Sequence, residues 1–104
     1  MTGVLTGQQL NQALAAQRGW RLRGEELVRE LSFRDFDEAL RFVDRVGQAA
    51  VDYQRRPDMC ISEFNHVRLS ISNRHHAGFT TAELRLLGKV NSILDEHHPE
   101  TANA

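Results

Sequence analysis

Residues 55–72 read RRPDMCISEFNHVRLSIS, and this stretch marks a change from a helix to a β-hairpin. Pro57 forces an extended or turn conformation on the residue before it, so a helix arriving from the N-terminal side must end there. Beyond the proline, apolar residues alternate with polar ones at Val67, Leu69 and Ile71. This alternation is typical of a half-buried strand with one polar face. We therefore predict a β-hairpin with strands at 59–64 and 67–72 and its turn at Asn65-His66.

A helical pattern precedes the hairpin, over residues 35–53. Its apolar and small side chains repeat at spacings of three and four: Phe36, Ala39, Leu40, Val43, Val46, Gly47, Ala50 and Tyr53. That repeat is typical of an amphipathic helix. Asp35, followed three residues later by Glu38, provides a start signal of the capping-box kind. Because this helix ends before the proline, Arg55 and Arg56 lie near its C-terminus, where the helix dipole favours positive charge.

The flanking segments complete the order of elements. Thr6 is a plausible N-cap for a first helix, and Thr80 with Glu83 forms a capping-box signal for a last one. The remaining predicted segments are a helix at 5–16 and two strands, 20–23 and 26–33, around Gly24-Glu25. The order helix, two strands, helix, two strands, helix indicates an α+β domain. We place one domain at residues 1–98 and a flexible tail at 99–104.

Composition narrows the class of protein. A chain of 104 residues with a net charge of −1 is one domain by size and lacks the basic balance typical of nucleic-acid-binding proteins. The single cysteine, Cys60, fits a reducing compartment. The sequence has no charged-then-apolar leader and no apolar run near the roughly 18 residues of a membrane span. We expect a cytoplasmic protein that binds neither nucleic acid nor membrane, and we expect no metal site and no cofactor.

The order of short motifs carries a family resemblance. The segment Arg55-Arg56-Pro57-Asp58 is followed by Phe64-Asn65-His66-Val67 and by Ala77-Gly78-Phe79-Thr80. In this register the chain resembles the pterin-4a-carbinolamine dehydratase family over nearly its whole length. The resemblance implies a four-stranded antiparallel sheet with helices packed on one face, and a homodimer formed through that sheet.

The resemblance also indicates where the site lies. In that family two adjacent histidines before a proline, and a third before a Gly-Leu-Thr turn, surround the pterin. Those positions read Arg55, Arg56 and Arg74 here. The residues implied as a degenerate pterin-binding site are Arg55, Arg56, Pro57, Asp58, Met59, Arg74 and His75. The tetrapeptide at 97–100, HHPE, is identical to the catalytic motif of that family, but it follows the last predicted helix. Pro99 is therefore interpreted as a stop signal beyond the helix end.

The substitution of histidine by arginine changes the chemistry of the site. Dehydration of a 4a-hydroxytetrahydropterin needs a proton delivered to the leaving hydroxyl and a proton removed from a ring N–H. Imidazole suits both steps, because its pKa is about 6.5. A guanidinium, with a pKa above about 12, has no lone pair to accept a proton. We therefore predict that the chain has no catalytic residue and is not an enzyme.

The function implied by the resemblance is that of a family branch without the histidines. One such branch occurs with α-carboxysomes and is proposed to assist RuBisCO assembly. The chain is therefore predicted to be a non-catalytic RuBisCO assembly factor, with RuBisCO subunits as partners and a carboxysome-associated location. The alternatives are a divergent dehydratase that uses His75 or His76 with Glu63, and a regulatory dimeric binding protein. A further alternative is that the three arginines are solvated surface charges.

Overall fold

A computed structural model describes residues 4–72 and 78–97 of the chain. Three helices and four strands follow one another in the predicted order. They are α1 (Gly7–Ala16), β1 (Arg21–Arg23), β2 (Glu26–Ser32), α2 (Phe36–Tyr53), β3 (Asp58–Ser62), β4 (His66–Ser72) and α3 (Thr81–His97). The bounds of the predicted segments differ from these by at most two residues. The predicted α+β class and element order are confirmed.

The four strands form one antiparallel sheet in the order β1-β2-β4-β3. Alternate side chains of β2 and β4 point to the helices, and Leu27, Leu31 and Leu69 are fully or almost fully buried there. They form one core with Phe42 of α2 and with apolar residues of α1 and α3. The prediction that the helices pack on one face of the sheet is confirmed.

The opposite face of the sheet is covered by charged side chains. His66 Nε2 lies 3.0 Å from Glu30 Oε1, and Arg21 Nη2 lies 3.4 Å from Glu30 Oε2. Arg68 pairs with Glu26 across the same face at 3.5 Å. This polar face follows from the period-two alternation of the strands.

Two of the helix starts follow the predicted capping signals. The Thr6 hydroxyl accepts a hydrogen bond from the Gln9 amide at 3.1 Å, and Gln9 Oε1 accepts one from the Thr6 amide at 2.9 Å. Asp35 Oδ1 accepts from the Glu38 amide at 2.9 Å. A capping box would have the Glu38 carboxylate accept from the Asp35 amide. Instead it accepts from the amide one residue earlier, that of Arg34, at 2.8 Å.

The turn of the second hairpin lies earlier than predicted. His66 belongs to β4 and is paired with Ser62, so the loop consists of residues 63–65. Glu63 and Phe64 adopt positive φ values of 49° and 61°. Asn65 stays against the end of β2, because its side chain donates to Phe33 O at 2.8 Å and its carbonyl accepts from Phe33 N at 2.9 Å. These two bonds hold Asn65 and shift the tight bend to the residues before it.

Two expectations from the sequence can be compared with the described residues. None of the helices within 4–72 and 78–97 is long and apolar enough to span a bilayer. No cluster of three or more His, Cys, Asp or Glu side chains in these ranges could hold a metal ion. The predicted tail at 99–104 lies outside the described residues and stays a prediction.

Candidate functional site

The candidate site begins at the C-terminal end of α2, where Gln54 takes up the left-handed conformation with φ 57° and ψ 42°. Its amide donates to Val51 O at 3.1 Å, and the next amide, of Arg55, donates to Ala50 O at 2.9 Å. These two bonds form a Schellman motif, which satisfies carbonyls that the helix end leaves free. The motif turns the chain sharply, so the two arginines follow directly at the helix end.

Arg55 is fixed by an ion pair to the start of α3. Its Nε donates to Glu83 Oε2 at 2.6 Å, and its Nη1 donates to the Gln54 carbonyl at 2.9 Å. The Glu83 side chain is only 7% exposed, whereas that of Arg55 is 32% exposed. A short charge-assisted bond to a buried carboxylate is among the stronger hydrogen bonds in proteins. Arg55 therefore joins two helices rather than pointing freely into solvent.

The Glu83 carboxylate is held by Thr80 as well. Glu83 Oε1 accepts from the Thr80 amide at 2.6 Å and from its hydroxyl at 2.7 Å. Burial alone would raise the pKa of Glu83, but the bonds from Thr80 and the charge of Arg55 outweigh it, so that the pKa is lowered. Glu83 is therefore ionised at neutral pH and is a poor proton donor.

Beside this ion pair lies an open cavity of about 380 Å³. It is lined by Ala50, Val51, Gln54, Arg55 and Arg56. Val51 is 72% exposed. The Arg56 side chain is exposed and makes no hydrogen bond or ion pair within the part of the chain that the structure describes. The cavity thus combines an apolar wall with one uncommitted cation, and we call it the α2-end pocket.

The remaining predicted site residues do not all reach this pocket. Pro57 is half-buried just before β3. Asp58 pairs with Ser70 in the sheet, and Met59 pairs with Leu69, so the two side chains point to opposite faces. Met59 faces the helices, where a Cβ built on Gly47 would lie 3.7 Å from its Cε. Asp58 faces the polar side of the sheet.

Arg74 and His75, the other two predicted site residues, lie outside the described residues, as does His76. Their place at the site stays a prediction.

Thr80 and Glu83 were missed by sequence reasoning as residues of the site. They were interpreted only as a capping box, and Glu83 does accept from the Thr80 amide as such a box requires. The second role, holding Arg55, joins residues that are 28 positions apart. The available signal was a carboxylate in the capping box of the last helix, together with an arginine at a site position.

Glu63, the carboxylate of the divergent-dehydratase alternative, lies away from the pocket. It is exposed in the turn that follows β3, whereas Arg56 precedes that strand. At about 3.3 Å per residue, the five steps from Asp58 to Glu63 span roughly 16 Å. Glu83, and not Glu63, is the carboxylate that pairs with a lining residue of the α2-end pocket.

Comparisons with known proteins give the family. The family described as "Pterin 4 alpha carbinolamine dehydratase" matches residues 3–93. A relative from Metallosphaera sedula, named "Putative pterin-4-alpha-carbinolamine dehydratase", is 34% identical over 89 residues, which cover 86% of this chain and 92% of the relative. The chain belongs to the pterin-4a-carbinolamine dehydratase family.

Two solved structures resemble the fold. A transcriptional coactivator/pterin dehydratase from Brucella melitensis is 27% identical, with a TM-score of 0.79 over 88% of this chain and 98% of that chain. A pterin dehydratase-like protein identified as a RuBisCO assembly factor in the α-carboxysome is 15% identical. Its TM-score is 0.62 over 73% of this chain and 89% of that one. At that identity the second likeness supports the fold alone.

The prediction that the chain is not an enzyme is wrong, because relatives at 26–35% identity are named as members of an enzyme family. The prediction considered proton transfer by residues 55, 56 and 74 only. A guanidinium cannot transfer a proton, but it can stabilise negative charge that develops on a leaving oxygen. Loss of histidine at these positions therefore does not exclude the reaction class.

Proposed function

We propose that this protein is a divergent 4a-carbinolamine dehydratase, which removes water from a 4a-hydroxytetrahydropterin bound in the α2-end pocket. The observation that carries the proposal is the contrast between two neighbouring arginines. Arg55 is paired with a buried carboxylate, whereas Arg56 lines the same cavity with no ion pair among the described residues. Family membership over residues 3–93 supplies the substrate class.

The reaction sets clear electrostatic demands. The C4a–O bond breaks and its electron pair leaves with the oxygen, while the N5–H bond breaks and its pair forms the C4a=N5 double bond. The proton from N5 and the departing hydroxide together leave as water. Negative charge therefore develops on the leaving oxygen, and a positioned cation that donates hydrogen bonds to it lowers the barrier.

The two arginines have different roles under this proposal. Arg56 donates to the leaving oxygen, because its donors are free within the described residues and it lines the cavity. Arg55 is a positioning residue, since its Nε is committed to Glu83. Water accepts the N5 proton, because the guanidinium groups have no lone pair and the pKa of Glu83 is lowered.

The test uses 4a-hydroxytetrahydrobiopterin generated in situ by a phenylalanine hydroxylase reaction, with its decay followed by absorbance. Arg56→Ala removes the proposed donor. Arg41→Ala is the matched control, because Arg41 is likewise an exposed arginine but lies in α2, outside the pocket. We expect the parent protein to accelerate the decay and Arg56→Ala to lower kcat/KM at least tenfold, with no change for Arg41→Ala. A parent protein that leaves the uncatalysed rate unchanged would refute the proposal.

A second candidate function is the assembly of RuBisCO in the α-carboxysome. Its support in this chain is an exposed apolar residue, Val51, beside Arg56, whose cation has no ion pair within residues 4–72 and 78–97. Exposed apolar side chains next to arginine are common at protein contacts. The assembly factor that shares this fold motivates the choice of partner. This role would place the protein in the cytoplasm in association with carboxysomes, and it is compatible with the reaction above.

Co-expression with RuBisCO subunits tests the second candidate. Reversing Arg56 to glutamate leaves the Arg55–Glu83 pair in place. It therefore tests binding without breaking the ion pair that joins α2 to α3. We expect less assembled holoenzyme with Arg56→Glu than with the parent, and full assembly with Arg41→Glu. The loss should deepen at low salt, because exposed charges are screened over roughly 8–10 Å at ordinary ionic strength. Equal assembly with all three proteins excludes this role for Arg56.

We also propose that the protein forms a homodimer through its sheet. Within the described residues, β1 and β3 each pair on one side only, so each has an unpaired edge. The β3 edge also carries exposed Met59, and Phe64 in the following turn is 62% exposed. Proteins usually pair or protect such edges. Analytical ultracentrifugation at tens of micromolar should give a dimer, and a monomer throughout would contradict this proposal.

A further inference from the structure

Arg29 is a buried cation outside the α2-end pocket. It lies on the helix-facing side of β2, between Leu27 and Leu31, and is 1% exposed. The helix-facing side of a sheet normally carries apolar residues, and a charge there is costly unless it is paired. The surroundings of Arg29 should therefore contain a counter-ion.

No carboxylate of the described residues fills that role. The nearest acidic side chain in electrostatic terms, Asp95, pairs at 2.6 Å with Arg18 instead. Arg29 Nε makes one long bond, 3.4 Å, to Asn91 Oδ1. Both terminal nitrogens of Arg29 are buried and have no hydrogen-bond partner in the part of the chain that the structure describes. Burial, with a smaller contribution from the charge of Arg18, lowers the pKa of Arg29 to about 10. At neutral pH it remains a positive charge with two unused donors.

A third unused donor lies next to it. Trp20 is 5% exposed, and its buried indole Nε1 has no hydrogen-bond partner among the described residues. Because Arg21 pairs with Val28 in the antiparallel ladder, Trp20 precedes β1 at the position opposite Arg29. Each buried donor left without an acceptor costs about 1–3 kcal/mol. One acceptor that binds all three donors would remove this cost.

A surface cavity lies beside the residues that surround Arg29. Its volume is about 480 Å³, and it is lined by Gly19, Trp20, Arg21 and Glu30. Gly19 also contacts the guanidinium, because a Cβ built on Gly19 would overlap the Arg29 side chain. Gly19 and Trp20 therefore lie both at the cavity and next to the unused donors.

We propose that the cavity at Gly19 and Trp20 is a binding site for a small carboxylate, held by the Nη1 and Nη2 donors of Arg29 and the indole N–H of Trp20. The paired terminal nitrogens of a guanidinium match the two oxygens of a carboxylate. The local charges favour a monoanion: the cations are Arg18, Arg21 and Arg29, and the anions are Asp95 and Glu30. A small shift of the Gly19-Trp20 segment admits the ligand to the buried donors.

The test uses sodium formate as the probe and Trp20 as the reporter, because Trp20 is the single tryptophan of the chain. Formate is titrated into the full-length protein at constant ionic strength, with sodium chloride replaced step by step. We expect a saturable change in tryptophan fluorescence with a midpoint of about 1–10 mM, because a ligand of three heavy atoms is limited to millimolar affinity. A rise in Tm over the same concentrations should accompany it. No response, or the same response to chloride, would overturn the proposal and leave water as the acceptor.

Two variants locate the response. Arg29→Met removes the charge but keeps much of the side-chain volume, and such replacements of buried charges are often neutral or stabilising. Arg29→Met should be folded and should lose the response to formate. Arg23→Ala removes another exposed arginine of β1, which lies outside this cavity, and should keep the response. A response that is lost in Arg23→Ala and kept in Arg29→Met would also refute the site, and the parent titration decides the matter even if Arg29→Met fails to fold.

Discussion

The Nε atom of Arg55 lies 2.6 Å from Oε2 of Glu83, and this bond joins the C-terminal end of α2 to the first turn of α3. Thr80 binds the other oxygen of the same carboxylate. The two neighbouring arginines therefore have different roles. Arg55 joins α2 to α3, whereas Arg56 lines the cavity without an ion pair among the described residues.

The first prediction is that the Arg55–Glu83 pair makes stability depend on pH in the acid range. The pKa of Glu83 is lower in the folded protein than the ordinary pKa of a glutamate carboxyl, because Thr80 and Arg55 stabilise its charged form. Its contribution is therefore fully present above the unfolded-state pKa and is lost as the pH falls through the folded-state pKa. Glu83→Gln should lower the free energy of unfolding at pH 7 by about 1.5–3 kcal/mol, the range for hydrogen bonds to charged groups.

Chemical denaturation of the parent and Glu83→Gln between pH 7 and pH 3 measures this effect. The difference between the two proteins should shrink as the pH falls below about 4.3, where an unperturbed glutamate carboxyl takes up its proton. Glu25→Gln is the control, because Glu25 is exposed and makes no ion pair among the described residues. A difference that stays constant down to pH 3 would contradict the assigned role of the charge.

The second prediction concerns Gly19, where backbone conformation and space both require glycine. Its φ is +83°, and a Cβ there would overlap the Arg29 guanidinium. Gly24 is the matched control, because its φ is +61° but nothing lies within 4 Å of a built Cβ. Gly24→Ala should cost about 1–2 kcal/mol for the left-handed conformation. Gly19→Ala should cost about 3 kcal/mol or more, since overpacking adds to that strain.

Urea denaturation of the two alanine variants compares these costs. Equal destabilisation would mean that Arg29 moves aside without cost, and it would show that the guanidinium is not tightly held beneath Gly19.

The third prediction is that Gln54→Gly stabilises the protein. Gln54 is left-handed at the end of α2, with φ 57°, and glycine adopts this conformation without the steric cost of a side chain. The expected gain is about 0.5–1 kcal/mol, because relief of the left-handed conformation, about 1–2 kcal/mol, is partly offset by the greater conformational entropy that glycine loses on folding, about 0.5–1 kcal/mol. Gln17 provides a matched control, because it caps α1 in an extended conformation with φ −106°. Gln17→Gly should be neutral or destabilising, and a loss of Tm in Gln54→Gly would contradict the prediction.

The order of elements could be predicted because each boundary has a local cause. Pro57 ends α2, Thr6 and Asp35 cap helices, and the alternation along β4 separates a core face from a polar face. The hairpin turn was misplaced because Asn65 is held by Phe33 of another strand end. No pattern of neighbouring residues in the sequence predicts the contact between Asn65 and Phe33, because the two residues are 32 positions apart.

The candidate site could be predicted only in part, for the same reason. The positions of Arg55 and Arg56 followed from the helix end, but the pairing of Arg55 with Glu83 depends on how α2 and α3 pack. Arg29 interrupts the apolar face of β2, and this was visible in the sequence. Its burial without a counter-ion was not visible, because it depends on Asp95 binding Arg18 instead.

The last prediction separates the two arginines of the α2-end pocket by a double-mutant cycle. Arg55→Ala and Glu83→Ala should each destabilise the fold, and the double variant should be less destabilised than the sum of the two. A coupling energy of about 1 kcal/mol or more is expected, because the residues are in direct contact and the carboxylate is buried.

Arg56→Ala should leave the free energy of unfolding within about 0.5 kcal/mol of the parent, since its side chain is exposed and unpaired among the described residues. The same Arg56 variant should show the larger loss in the dehydratase assay at equal folded concentration. Arg55→Ala should lower activity mainly through the fraction folded. A second cycle, with Arg56→Ala and Glu83→Ala, should show no coupling energy. If it shows coupling, both arginines interact with the carboxylate, and the proposal that Arg55 joins the helices while Arg56 contacts the ligand is wrong.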